Sequence, residues 1–358
     1  MKVRTPAMLS LRPETIALLD DIESRIDPET EDDFAAQWYA FLHGTSDAEI
    51  FSTHRKKKSS PGIPVPRVNI NDALADVETM LVHQLADVSN ALNSDRFNLC
   101  VRANYGTGIL SSLFGAEIFE MPREMNTLPT TKPFNDSEVI RELVQKGMPD
   151  LENGFGARVL AFAALWQDVC RAYPKIAKYV SIYHPDLQGP LDICELMWGG
   201  KMFYAMYDEP ELVHDMLSLI TDTYAAFLDR WFTMFPCGTD MNVHWSNMRH
   251  RGRIMLRCDS AMNLSPEFYE EFAIPYDAKL LAHFGGGAMH FCGRGDHYIE
   301  LLCSQPKLYS VNLSQPHLND METIWRASVD RGITVLGFPG AYAKEHPRAG
   351  GYHGLLHT

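Results

Sequence analysis

Apolar residues recur along this chain in short runs of strand length, and between most of these runs lie segments of helix length. The runs cover residues 97–103, 180–186, 239–246, 253–258, 286–292, 307–313 and 332–338, and a shorter run at 116–121 is a possible eighth. Alternation of strands and helices is typical of a parallel sheet with right-handed crossovers. Eight such units in about 260 residues predict an α/β fold of the (β/α)8 (TIM) barrel type. A doubly wound open sheet is the alternative.

The beginning of the chain lacks this alternation. Residues 10–50 are acidic and amphipathic, with Pro13 and Pro28 as breakers, which predicts helices laid over the face of a domain. Residues 59–67 are rich in Ser, Pro and Gly, and their prolines exclude a helix or a central strand. We therefore predict an N-terminal helical extension, residues 1–70, packed on a barrel formed by residues 71–358.

Composition and charge narrow the classes of function. The net charge of −14 disfavours a surface that binds nucleic acid. One basic run, Arg55 to Lys58, is either a solvated loop or a clamp for an anionic ligand. The chain has no run of eighteen apolar residues and no secretion signal at its start, so we expect a cytoplasmic protein without a membrane partner. Its seven cysteines do not form a disulfide pattern and are expected to be thiols or ligands.

The strongest chemical signal is the segment Met289-His290-Phe291-Cys292-Gly293. On a strand, residues two positions apart point to the same side, so the side chains of His290 and Cys292 should lie on the same face of the sheet. Glycines flank this run and end the strand just past the cysteine, at the edge where parallel α/β folds place their chemistry. An imidazole and a thiolate there predict a metal site, whereas core packing of both side chains is the alternative.

Several blocks of the sequence, taken together, form a known pattern: Asp259 to Phe272, Pro275-Tyr276, His290 to Gly293, Gly189-Pro190 and Asn104-Tyr105-Gly106. In these blocks the chain resembles the uroporphyrinogen decarboxylase superfamily, over about residues 70–358. The resemblance implies a (β/α)8 barrel, in agreement with the alternation of strands and helices. It also implies one of two chemistries.

The decarboxylase branch fits the sequence less well. That branch carries an Arg-Gln-Ala-Gly-Arg type segment, which this chain lacks, and an essential Asp where this chain has Asn104 or Tyr105. Leu196 stands where those enzymes have a Tyr, although Ser260 matches one of their site residues. These departures disfavour true uroporphyrinogen decarboxylation.

The other branch consists of zinc methyltransferases, which carry a His-x-Cys pair and a later Cys in a Gly-flanked loop. In this chain that loop reads Gly350-Gly351-Tyr352-His353-Gly354, so the resemblance implies Zn²⁺ held by His290, Cys292 and His353. It further implies transfer of a methyl group between a corrinoid protein and a small acceptor such as a thiol. The chain has no Asp-x-His-x-x-Gly motif, so the corrinoid is expected on a separate protein, and a homodimer is possible.

Other polar residues near strand ends are further candidates. We predict catalytic roles for Asp259, which could orient His290, and for Ser260 and Glu195, the last as a base or fourth ligand. Residues predicted to bind the substrate are Arg102, Asn104, His184, Gln188, His244 and Asn247. Two other functions remain open: a metal-free decarboxylase of a tetrapyrrole or other carboxylated substrate, and a barrel that binds a tetrapyrrole without turnover.

Overall fold

The computed structural model describes residues 10–358. Within them the α-helices are α1 (Pro13–Arg25), α2 (Pro28–Leu42), α3 (Ile70–Ala75), α4 (Val77–Leu92), α5 (Ile109–Leu113), α6 (Ser137–Lys146), α7 (Gly156–Ala172), α8 (Pro174–Tyr179), α9 (Pro190–Trp198), α10 (Lys201–Asp208), α11 (Pro210–Met234), α12 (Pro266–Phe272), α13 (Ile274–Phe284), α14 (Ile299–Cys303), α15 (Met321–Ala327) and α16 (Gly340–Glu345). Short 3-10 helices cover Arg123–Met125, Ser260–Asn263, Pro316–Leu318 and Val329–Arg331.

The strands of the same residues are β1 (Ile50–Phe51), β2 (Cys100–Val101), β3 (Ile118–Phe119), β4 (Thr130–Thr131), β5 (Ser181–Ile182), β6 (Asn242–Val243), β7 (Arg249–His250), β8 (Ile254–Arg257), β9 (Gly287–Phe291), β10 (Leu308–Leu313), β11 (Thr334–Val335) and β12 (Leu356–His357). Six of them form one sheet in the order β1-β12-β11-β10-β9-β8, and all its pairs are parallel. Strands β2 and β5 form a second parallel pair.

These eight parallel strands, with helices between most of them, confirm the predicted (β/α)8 barrel. Side chains and loops connect the two sheets. The backbone N–H of Met255 in β8 donates to His184 Nε2, just after β5, at 3.0 Å. At the other junction the N–H of Arg55, after β1, donates to the carbonyl of Asp95 at 2.7 Å, ahead of β2.

Two of the strands expected from the sequence lie outside the barrel. The run at 239–246 forms β6 of an antiparallel hairpin with β7, and the run at 116–121 forms β3, which pairs antiparallel with β4. Their places are taken by β1 and β12, which have two residues each and leave too short an apolar pattern to be recognised. Strand β1 lies within the segment predicted as a helical extension, so the sheet begins before residue 70.

The sheet separates two apolar cores. On β8, Ile254 and Leu256 join the large cluster formed with the surrounding helices. Met255, which points the other way, joins a smaller cluster with Trp38 of α2 and Met248 of the β6–β7 hairpin. The hairpin and α2 therefore fill space on the inner side of the sheet.

The basic run Arg55 to Lys58 fixes α2 in this position. The Arg55 side chain is buried and binds Glu31 of α2 at 2.7 Å, and Lys56 and Lys57 pair with Asp33 and Asp27. Asp27 also caps α2, since its side chain accepts from the N–H of Thr30. Three of the four cations of the run are thus used within the protein. In the described part of the chain, no helix combines the length and apolar character needed to cross a bilayer.

Candidate functional site

Three potential metal ligands meet at the carboxyl ends of two neighbouring strands. His290 lies in β9 and Cys292 directly follows that strand, while Asp259 comes two residues after β8. Because β8 and β9 are parallel, their carboxyl ends share one edge of the sheet. The predicted pair is brought together as expected, with His290 Nε2 at 3.3 Å from Cys292 Sγ.

The third member of the group is Asp259, whose Oδ1 lies 3.7 Å from His290 Nε2. One donor atom from each of the three side chains lies within 4.8 Å of the others. A tetrahedral Zn²⁺ with bonds of about 2.0–2.3 Å separates its ligand atoms by about 3.3–3.8 Å. Both distances from His290 fall within this range, so its Nε2 could share a small divalent cation with the sulfur of Cys292 and with the oxygen of Asp259.

The hydrogen bonds of Asn312 fix the tautomer of His290. The Nδ2 amide of Asn312 donates to the carbonyl of Leu336 at 2.6 Å, which leaves its Oδ1 as an acceptor. That Oδ1 lies 2.5 Å from His290 Nδ1, so Nδ1 carries the proton and Nε2 presents a lone pair toward Cys292. Burial also lowers the pKa of His290, which keeps the imidazole neutral and able to bind a metal.

Asp259 and Cys292 are likewise held in place. Asp259 Oδ1 accepts the backbone N–H of Cys292 at 2.7 Å, so the carboxylate is oriented toward the thiol. The hydroxyl of Ser314 lies 3.5 Å from Cys292 Sγ. Burial, together with the charge of Asp259, raises the pKa of the Cys292 thiol, and a bound cation would reverse that effect by stabilising the thiolate.

A tight turn brings helix α9 against this edge. A Cβ on Gly189 would lie 2.0 Å from the carbonyl oxygen of Arg257, so only glycine permits this approach. Pro190 then begins α9, which carries Asp192 and Glu195 to the segment after β8. Asp192 accepts the backbone N–H groups of Asp259 at 3.0 Å and Ser260 at 2.8 Å. The carboxylate therefore anchors the loop that carries Asp259.

Ser260 joins the two carboxyl groups of α9. Its Oγ lies 2.6 Å from Asp192 Oδ1 and 2.5 Å from Glu195 Oε2. A hydroxyl has one proton to donate, so one of the two contacts requires a protonated carboxyl group. Burial, with the charge of Asp259, raises the pKa of Asp192 to about 6, and the three side chains can hold and exchange a proton.

A cavity of about 460 Å³ opens over these residues. Its lining consists of Thr107, Thr131, Pro133, Gln188, Asp192, Glu195, Leu196, Gly199, Asp259, Ser260 and Asn263. It is large enough for a small organic molecule. The cavity contains all three residues predicted as catalytic, Asp259, Ser260 and Glu195, and one of those predicted to bind the substrate, Gln188.

The two histidines predicted to bind the substrate are buried, and each accepts a hydrogen bond at Nε2 from inside the protein. His184 Nε2 accepts from β8 as described above, and its Nδ1 donates to the carbonyl of Pro185 at 2.8 Å. His244 is fully buried in the inner hairpin, and its Nε2 accepts from the guanidinium of Arg257 at 2.8 Å. Burial lowers the pKa of both rings. Both histidines therefore support the sheet and lie apart from the cavity lining.

Arg102 and Asn104 also lie apart from that cavity. Arg102 pairs with Asp186 at 3.2 Å, and both predicted residues line a second cavity of about 390 Å³ beside α4. Asp186 binds Arg257 as well, at 2.6 Å, so it balances two cations. The predicted residue Asn247 lies at the tip of the β6–β7 hairpin, near the backbone of Gly337.

The predicted third ligand, His353, does not reach the site. It precedes β12, at the amino end of the parallel sheet, whereas His290 and Cys292 lie at the carboxyl end of β9. Its ring is more than half exposed and lies 3.9 Å from Asp330, and its backbone N–H donates to Glu49. The prediction from the Gly-flanked loop is corrected here, and Asp259 stands in the position expected for the third ligand.

Sequence reasoning missed Asn312 and the contact made by Trp245. Asn312 was detectable in principle, because it is an amide within the buried run of β10 and is paired in register with His290. Trp245 belongs to the inner hairpin, and its ring lies 5.1 Å from that of His290, edge to face. No short-range pattern indicates that contact, because it depends on how the hairpin folds into the barrel.

Comparison with models of known protein families gives no match, and comparison with curated proteins gives none. Among solved structures, the chain is similar to a methyltransferase from Methanosarcina mazei, with a TM-score of 0.59 and 14% identity. The match covers 84% of this chain and 80% of that one. At this identity the likeness establishes the fold, and it agrees with the barrel described above.

Proposed function

We propose that this protein is a metal-dependent methyltransferase whose ion is held by Asp259, His290 and Cys292. The observation that carries the proposal is the meeting of these three donor atoms within 4.8 Å of one another, beside an open cavity whose lining includes Asp259. The structural likeness to a methyltransferase supports the choice of reaction. The resemblance of the sequence to the zinc-dependent branch of the uroporphyrinogen decarboxylase superfamily supports the choice of Zn²⁺.

The donor set fits a catalytic site better than a structural one. Three protein ligands leave a fourth position of a tetrahedral ion free for a substrate, and one of the three, Asp259, lines the cavity. When bound, Zn²⁺ would supply Lewis acidity that lowers the pKa of a coordinated thiol or other nucleophile. Asn312 would keep His290 Nε2 directed at the ion, and Asp192 would hold the loop that carries Asp259.

The Asp192–Ser260–Glu195 group would receive the proton that a nucleophile releases. Glu195 lines the cavity and contacts Ser260, which contacts the buried Asp192. A proton passed to Glu195 can therefore be shared with Asp192 or released to solvent. The activated nucleophile would take a methyl group from a corrinoid carried on a separate protein, because the chain lacks the cobalt-binding motif Asp-x-His-x-x-Gly.

The acidic cavity argues against the alternatives from the sequence. A tetrapyrrole bearing carboxylates, whether substrate or passive ligand, needs cationic groups to hold it. In the described part of the chain, the lining of this cavity contains three carboxyl groups and no Lys or Arg. We therefore favour methyl transfer over decarboxylation or tetrapyrrole storage.

Metal analysis of native protein and variants tests the proposal. We expect about one zinc per chain, and Cys292→Ser and Asp259→Asn should each reduce the zinc content. Cys237→Ser is the matched control, because Cys237 is a half-buried free thiol with no place in the group. In the Co²⁺-substituted protein, thiolate-to-cobalt absorption in the near ultraviolet should vanish in Cys292→Ser and persist in the control. Equal metal content in all four proteins would refute the site.

A further inference from the structure

The charged residues that line the 460 Å³ cavity are all acidic. Asp192, Glu195 and Asp259 contribute carboxyl groups, and the other lining residues of the described chain are neutral. Even when one proton is shared across Ser260, the pair Asp192 and Glu195 keeps at least one negative charge. The cavity therefore presents a negative potential to anything that enters it.

A bound divalent ion does not reverse this sign. The carboxylate of Asp259 and the thiolate of Cys292 together balance the two charges of such an ion, and His290 is neutral. The centre would then carry no net charge, so Asp192 and Glu195 decide the sign of the cavity. The three-ligand set expected from the sequence differs, because its two histidines and one cysteine would leave the metal centre with a positive net charge.

Two basic residues near the lining in sequence are engaged elsewhere. Lys132, between Thr131 and Pro133, pairs with Glu117 at 2.6 Å on the exposed side of the β3–β4 pair. Arg257, two residues before Asp259, is buried and pairs with Asp186 and His244. Neither of these two side chains is therefore available to compensate the carboxyl groups, and Lys201, two residues after Gly199, is exposed and does not line the cavity.

We propose that this cavity selects small molecules that carry an ammonium group and excludes those that carry a carboxylate or sulfonate. Glu195 is the residue that sets this preference, because it is the carboxyl group of α9 that is partly exposed to the cavity. Leu196 and Pro133 supply apolar surface for the body of such a molecule. The inference rests on the proposed function for its catalytic meaning, since the ammonium compound would carry the nucleophile that accepts the methyl group.

Binding of three matched probes to the full chain tests the preference without any turnover. Benzylammonium, benzyl alcohol and benzoate have similar size and differ in charge, and calorimetry or ligand-observed NMR can rank their affinities. We expect the ammonium to bind about tenfold more tightly than the alcohol, with benzoate the weakest. Added salt should weaken the binding of benzylammonium and leave the binding of benzyl alcohol unchanged. The series is run on both metal-free and zinc-loaded protein.

Glu195→Gln should remove most of the advantage of benzylammonium while benzyl alcohol binds as before. Glu142→Gln, an exposed glutamate on α6, is the control and should behave as the wild type. Benzoate binding as tightly as benzylammonium in the wild type would overturn the inference, whether or not the protein holds zinc. Conversely, a protein that fails to bind zinc but still ranks the probes by charge would refute the metal centre and leave the cavity preference intact.

Discussion

Replacing Asn312 by Leu tests whether the second interaction of His290 matters for metal binding. Asn312 is buried in β10 and connects His290 Nδ1 to the carbonyl of Leu336. Leucine has a similar branched shape but offers no hydrogen bond. The substitution therefore leaves two buried polar groups without partners, and it frees the imidazole to rotate or change tautomer.

The expected magnitudes follow from these two losses. Each buried polar group left without a partner costs about 1–3 kcal/mol, so the free energy of unfolding of the metal-free protein should fall by about 2–6 kcal/mol. Removing the hydrogen bond that orients a metal-bound histidine lowers metal affinity about 10- to 100-fold. Denaturant unfolding gives the first quantity, and a zinc titration against a competing chelator gives the second.

Ser310→Ala is the matched control for this experiment. Ser310 lies two residues earlier on the same strand, is also buried, and its hydroxyl shares a hydrogen bond with Thr334. The control should lose about 1 kcal/mol of stability and keep its zinc affinity. If Asn312→Leu loses stability but binds zinc as tightly as the control does, the orientation of His290 by Asn312 has no role in metal binding and the reasoning fails.

Three further substitutions test other parts of the site. Gly189→Ala should lower the folding stability by about 1–3 kcal/mol or more, because its Cβ would meet the carbonyl of Arg257. Gly200→Ala is the control and should leave stability unchanged, because a Cβ there meets nothing within 4 Å. Thermal unfolding compares the two variants. His353→Ala should leave zinc content unchanged, and a loss of zinc would return His353 to the site. Because burial raises the pKa of Asp192 to about 6, folding favours its protonated form, so its contribution to stability is complete below about pH 4 and is lost as pH rises through 6. Asp192→Asn should therefore flatten the decline in unfolding free energy between about pH 4 and 7, and an unchanged slope would contradict the assignment.

The sequence was sufficient to predict the barrel and the pairing of His290 with Cys292, because both depend on short-range patterns. Alternation of apolar runs with helix-length segments identifies most of the parallel strands. The spacing of His290 and Cys292 on one strand determines that their donor atoms share a side. Neither conclusion requires knowledge of which distant segments meet.

The remaining part of the site depends on which strands are neighbours. Asp259 reaches His290 because β8 pairs with β9, and Asn312 reaches it because β10 pairs with β9 on the other side. The error at His353 has the same origin. Its glycine-flanked loop was assigned to the site by resemblance, but a residue that precedes a strand of a parallel barrel lies at the rim opposite to residues that follow one.

Exchange of the third ligand from a histidine to Asp259 links the metal centre to the rest of the cavity. A histidine at the other rim would have been independent of α9, whereas Asp259 is held through its backbone by Asp192 of that helix. Movement of α9, for example when a molecule binds against Glu195, would therefore shift a metal ligand and the proton-holding carboxyl groups together. In this arrangement the residues proposed to recognise the substrate and the residues proposed to hold the ion form one connected unit, joined through the loop from Asp259 to Ser260. Zinc affinity should accordingly change in Glu195→Gln, although Glu195 is outside the ligand set. If the variant binds zinc as tightly as the wild type does, the loop is rigid and does not couple α9 to the metal ligands.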